Sequence, residues 1–286
     1  MDTRLSLHRL RSGSTGVHLF LVAVAALVLL AGCNSDDIHS LPEARIVPLF
    51  AGDRNGDILL VDQRNGAATP VLNTSYTGAD VGVLSAMVYR PQSHTIYLGI
   101  GGSSPSCPGC ILTLNPSTGV ASLELSLCAI QGLAVAPGTG NMRMFACDTF
   151  FSFDPLTATA TSIVPNPTTG LGFGLSYALN GTLYVAVGGG GVSTLWTLDP
   201  VSGASTLVGS LTFVGNSVID PFVPANGKIV SMTTHPTTGV LFALLNDGSG
   251  GAGPTYLITI NPATLVAKLI GQTQGGLDGL AFLPHL

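Results

Sequence analysis

The stretch Leu183–Gly209, LYVAVGGGGVSTLWTLDPVSGASTLVG, is a unit that this chain repeats. Two apolar runs split by a glycine loop, then a proline-bearing turn and a third run, read as three antiparallel strands joined by hairpins. Looser versions of its centre recur as ILLVDQRNGAATPV (58–71), ILTLNPSTGVASLEL (111–125), FFSFDPLTATATSIV (150–164) and LITINPATLVAKLIG (257–271). One such unit cannot bury its own apolar faces. It must stack against copies of itself, so the recurrence dictates the architecture before any single residue does.

Four strand types, a to d in chain order, account for the repeat. The first unit enters at b, with Ile46–Ala51 (b), Ile58–Asp62 (c) and Ala68–Leu72 (d), and no strand a precedes it. Complete units start at Ser85–Tyr89, Gly132–Ala136, Gly174–Ala178 and Val230–Thr234, and a lone strand a, Gly279–Leu283, ends the chain. A four-stranded antiparallel unit repeated radially is a β-propeller blade. The expectation is an all-β propeller of five blades, closed by pairing Gly279–Leu283 with Ile46–Ala51, since both would otherwise be open edges. Six blades is the alternative count. The connection Ser210–Ile229 is long, with Leu211–Val214 as its strand-like run, and the polar stretch Asn73–Gly82 reads as a loop.

The turns repeat as well. Asp62, Asn115, Asp154, Asp199 and Asn261 each open a c–d turn, most with proline next and several with glycine at the fifth place. An Asx side chain accepts a backbone N–H two residues on, and glycine takes the left-handed position, so these residues are read as turn caps rather than catalytic groups.

The first residues are a targeting segment. Arg4, Arg9 and Arg11 precede the apolar run Val17–Leu30, and Leu30-Ala31-Gly32-Cys33 follows. The run is shorter than the roughly 20 residues a membrane span needs. The tetrapeptide resembles the lipobox of bacterial lipoproteins, which implies a signal peptide over 1–32, acylation of Cys33 and membrane attachment through it. Residues 33–43 then read as a tether and 44–286 as a single propeller domain. Asn34 stands where inner-membrane retention would, by the same resemblance, show Asp, which implies the outer membrane or the cell surface.

The repeats themselves resemble those of bacterial surface and periplasmic propellers with YVTN-type repeats, and of related propeller lipoproteins that carry domains of unknown function. The shared motifs are structural, so the resemblance implies fold and location and assigns no reaction.

Composition narrows the partners. Charged residues are 9% of the chain, the net charge is −5, and lysine and arginine form no run in the domain. Nucleic acid is excluded as a partner because phosphate binding needs a basic footprint. So sparse a charge implies a surface of hydroxyls and backbone, or sides covered by a partner.

Candidate chemistry is thin. Paired-carboxylate glycoside hydrolysis needs two acids on facing inner strands. The inner strands SAMVY, GLAVA, GLSYA, VSMTT and GLAFL carry none, and Asp278, just before the last, stands alone. Asp53, Asn55 and Asp57 have the alternate spacing of a calcium loop, but Gly56 comes one place early and Arg64 stands where a bidentate glutamate is required. A hairpin turn is the preferred reading. His39, His94, His235 and His285 are read as surface histidines, and Gly188–Gly191 and Gly248–Gly253 as hairpin loops.

Cys107, Cys110, Cys128 and Cys147 all fall on the propeller face that bears the b–c and d–a loops, in two adjacent blades. Exported thiols meet an oxidising compartment, so two disulfides are expected. Of the three possible pairings, Cys107–Cys110 with Cys128–Cys147 is favoured; a four-thiolate zinc site is the competing reading. Three functions remain open. One is a lipid-anchored, non-enzymatic module that binds an envelope protein or glycan through the loop face. Another is a calcium-dependent, lactonase-like hydrolase with Asp53, Asp57, Asp148, Asp247 or Asp278 as ligands. The last is a structural envelope subunit that assembles through its weakly charged sides.

Overall fold

The computed structural model describes residues 47–286 apart from 166–170, 190–191, 218, 220–226, 247–252 and 285. The signal segment, Cys33, the tether, His39, Asp247 and His285 lie outside the described residues. The rest forms five blades. The first blade joins Leu277–Phe282, Leu49–Asp53, Asp57–Val61 and Ala68–Asn73 as its strands a to d. The second is Leu84–Arg90, Thr95–Ile100, Cys110–Leu114 and Ala121–Ser126, and the third Ile130–Val135, Met142–Ala146, Thr149–Asp154 and Thr159–Pro165. Leu171–Tyr177, Leu183–Gly189, Val192–Leu198 and Ser205–Ser210 make the fourth, and Lys228–Thr234, Leu241–Asn246, Thr255–Asn261 and Val266–Thr273 the fifth. Each inner strand touches the inner strands of both neighbouring blades, which closes the ring.

Burial follows from position in the blade. Strands b are covered on both faces by neighbouring blades, so Leu49–Asp53 and Leu241–Asn246 are buried throughout. Such strands read as continuous apolar runs. Outer strands such as ATPVLN (68–73) and STLVGS (205–210) meet water along most of their length and are built of Thr, Ser and Val. That is where the low charge resides. Blades approach so closely that a Cβ on Gly52 would lie 2.6 Å from Leu84 Cβ, and one on Gly99 2.6 Å from Ile130 Cγ2.

The expected closure is present. Leu49 pairs with Phe282, Phe50 with Ala281, Ala51 with Leu280 and Gly52 with Gly279, antiparallel, so the two ends of the domain build one blade. Leu211–Val214 does not begin a sixth blade: Thr212–Val214 lies parallel to Val266–Lys268 and covers the outer edge of the fifth. The stretch expected as a plain loop, 73–82, contains a small hairpin, Ser75–Tyr76 against Ala79–Asp80.

Two regular irregularities are superimposed on the repeat. In every blade the a–b register slips once at the same height, leaving Asp278, Ser85, Gln131, Gly172 and Val230 as the extra residue. The c–d register also slips once, at Val71, Glu124, Ile163, Val208 and Ile270. A bulge bends its strand and increases the local twist, which lets each sheet turn from the axis to the rim within a few residues.

Candidate functional site

The inner strands run from a loop side, bearing the b–c and d–a connections, to a turn side, bearing the a–b and c–d turns. At the loop side the row of bulged residues carries polar groups on three adjacent blades: Asp278, Ser85 and Gln131. Asp278, expected ahead of the last inner strand, lies within it, and among the described inner-strand residues it is the one carboxylate. It is buried, which raises its pKa, while the Arg54 guanidinium 2.8 Å away pulls in the opposite direction. Gln131 Nε2 donates to Asp148 Oδ1 at 3.2 Å, and the Ser85 hydroxyl lies between two carbonyls, that of Ile130 in the next blade at 2.5 Å and that of Gly99 at 3.0 Å.

Asp53, Asn55 and Asp57 lie in the hairpin turn between Leu49–Asp53 and Asp57–Val61, the preferred reading of this stretch. Asp53 Oδ1 accepts the backbone N–H groups of Asn55 and Asp57, both at 2.8 Å, and Oδ2 accepts Asn55 Nδ2 at 3.2 Å. Its oxygens therefore cap the hairpin. Asp57 Oδ1 accepts Asn73 Nδ2 at 3.0 Å. Among the described residues no group of three His, Cys, Asp or Glu is placed to hold a metal ion.

All four cysteines lie at the loop side. The structure pairs Cys107 with Cys110 and Cys128 with Cys147, with Cα atoms 5.9 and 5.7 Å apart. The bridges are neighbours: Leu127 N–H donates to the Gly109 carbonyl at 2.9 Å, and the Cys128 backbone fills the space a Cβ on Gly109 would need. Cys147 and Asp148 form the two-residue turn of their hairpin with φ of 50° and 54°. Both central positions of such a turn are left-handed, a conformation that ordinarily selects Asn-Gly.

At the turn side lies a cavity of about 180 Å³, walled by Val88, Leu133, Leu175, Tyr177, Met232 and Thr234 among others, with no charged side chain among the described residues that line it. The sequence pointed to the loop end, and this cavity is at the other. Burial raises the Tyr177 phenol pKa, and Ser176 Oγ lies 2.8 Å from Thr234 Oγ1 at the same level. His235, expected at the surface, is buried beneath the cavity rim. Its ring packs edge-on against Phe282 with centroids 4.8 Å apart, and Nδ1 accepts the N–H groups of Thr237 and Thr238 at 3.2 Å. It is a turn cap in the role that Asx side chains fill elsewhere, and burial lowers its pKa. His94 is exposed, with Nδ1 2.8 Å from the Tyr89 hydroxyl.

The chemistry on offer is recognition by hydrogen bonds at the loop end and by apolar contact at the turn end. The missed residues, Gln131 and Ser85, carried no signal of their own, because a bulge position is fixed by the sheet rather than by the residue that occupies it.

No family model and no curated protein matches the chain. Solved structures do. A chain of the nidogen/laminin complex aligns over 84% of this chain and 99% of its own, at TM-score 0.52 and 11% identity. TolB from Acinetobacter baumannii aligns over 91% of this chain and 60% of its own, at TM-score 0.50 and 14% identity. At such identities what is shared is the fold, and this chain takes its place among the β-propellers on that ground.

Proposed function

We propose that this chain is a lipid-anchored propeller of the bacterial cell envelope, held at the outer membrane or cell surface through Cys33, that binds a protein or glycan at its loop face without transforming it. The observation that carries the reading is the pair of adjacent disulfides on the second and third blades, beside the polar row of Ser85, Gln131 and Asp278. Cross-links there fix the surface before a partner arrives, and a pre-ordered surface gives up less entropy on binding. The anchor reading adds that Cys33→Ser leaves the protein unprocessed or releases it from membranes.

The test is crosslinking in intact cells with the natural chain, the double variant Gln131→Ala/Asp148→Ala, and a turn-side control, Ser117→Ala. The expected outcome is a partner retained by the parent and the control and depleted at least about tenfold by the double variant, the loss of one good interfacial cluster. Equal recovery from all three would overturn the assignment to the loop face. Titration calorimetry with calcium addresses the hydrolase reading directly, and the capping role of Asp53 predicts no heat of binding there.

A further inference from the structure

The chain enters the propeller on its turn side. Gln63, in the c–d turn of the first blade, donates Nε2 to the Val47 carbonyl at 2.7 Å, and Leu283 N–H donates to the Pro48 carbonyl at 3.1 Å. Leu49 then pairs with Phe282, which lines the turn-side cavity. If Cys33 bears lipid, residues 34–46 are all that separate the bilayer from this point. At about 3.5 Å per residue they reach at most roughly 45 Å, and as a coil roughly 20 Å. The face at which the tether arrives is the face held nearest the membrane.

Among the described residues, that face also carries the most exposed large apolar side chains. Leu156 is 85% exposed and Val201 78%, each next to the proline of a c–d turn, in adjacent blades, and Leu179 lies exposed in an a–b turn of the same pair of blades. The turns are rigid: Asp154 and Asp199 cap them through the N–H groups of Leu156 and Val201 at 2.9 Å, and Arg143 of the third blade donates to the Pro200 carbonyl of the fourth at 2.6 Å. Ordering the backbone of these turns at an interface therefore costs little. Charge divides in the same sense. Among the described residues, Arg64, Arg90 and Arg143 on the turn side balance Asp62, Asp154 and Asp199, whereas on the loop side Asp53, Asp57, Asp80, Asp148 and Asp278 outnumber Arg54 and Lys228. A surface of anionic headgroups repels the second side and tolerates the first.

We infer that the turn face lies against the bilayer that holds the anchor, with Leu156, Val201 and Leu179 seated among phospholipid headgroups, and that the disulfide-bearing loop face points away from it. This rests on the lipoprotein reading, and the experiment separates the two. The full acylated chain is reconstituted into vesicles of phosphatidylethanolamine and phosphatidylglycerol with brominated acyl chains, after mass spectrometry of the Cys33 peptide. Trp196 is the one natural tryptophan and gives a constant background. A second is added as Leu156→Trp or Val201→Trp on the turn side, or as Val192→Trp, an exposed position on the loop side. All three substitutions replace solvent-exposed side chains and leave the core intact. The expected result is excess quenching at least about threefold larger for Leu156→Trp and Val201→Trp than for Val192→Trp, as for side chains buried at the headgroup boundary. An acylated chain with equal or reversed quenching overturns the apposition alone. A Cys33 peptide without acyl mass overturns the anchor, and the apposition with it.

Discussion

At the fifth place of every c–d turn the backbone is left-handed: Gly66, Gly119 and Gly203 have φ of 79°, 72° and 71°, while Ala158 and Leu265 hold φ of 51° and 59° at the matching positions. A Cβ in that conformation costs about 1 kcal/mol. Ala158→Gly is therefore expected to raise stability by up to about 0.6 kcal/mol, the relief of that strain less the roughly 0.4–1 kcal/mol of added freedom in the unfolded chain, measured as a shift in denaturation midpoint. Leu265 is the poorer choice for the same change, because its side chain packs against Gly209 and the neighbouring core. His235 gives a pH signature. Its neutral Nδ1 must accept two N–H groups, and burial holds its pKa below the usual imidazole value. Below about pH 6.5 the unfolded chain then binds more protons than the folded one, so this contribution, complete above that value, is lost as pH falls through the lowered folded value. The melting midpoint should fall on acidification from about pH 7.5 to about pH 5.5, and His235→Asn, which keeps a cap that cannot titrate, should flatten that part of the profile.

Among the elements, the two disulfides should differ in what they contribute. Cys128–Cys147 closes a loop with a separation of 19 residues and Cys107–Cys110 one of 3. On chain entropy the first stabilises by about 3 kcal/mol and the second by about 1.7 kcal/mol. Replacing Cys128 and Cys147 by serine should lower the midpoint by clearly more than the same change at Cys107 and Cys110, and non-reducing mass spectrometry should show one added hydrogen per sulfur on reduction of the parent. Strands and c–d turns were legible in the sequence because their requirements are local: an Asx oxygen, a proline φ, a left-handed fifth residue. All five predicted caps accept an N–H two residues on. The bulges were not legible. Asp278, Ser85, Gln131, Gly172 and Val230 have no chemistry in common, and what they share is a height on a twisting sheet. His235 was misread for a related reason. A histidine in an a–b turn looks solvent-facing until the closing strand brings Phe282 over it.

For the whole molecule, the ring should unfold as one cooperative unit, since every inner strand is packed by two others and the first blade borrows its inner strand from the far end of the chain. Deleting Leu277–Leu286 should abolish the entire transition in a thermal melt. A truncated chain that melted within a few degrees of the parent would show that four blades and a fragment can stand alone. The borrowed strand also sets a clock. The first strands wait for every residue between Asp53 and Leu277 to emerge, from the ribosome or from an export channel, before they meet the strand that completes their sheet. Throughout that interval the edge of Leu49–Asp53, a strand buried along its whole length in the finished blade, stays bare and sticky. A propeller assembled in this way is vulnerable from the emergence of its first blade until its last strand arrives, and only the final ten residues end the exposure.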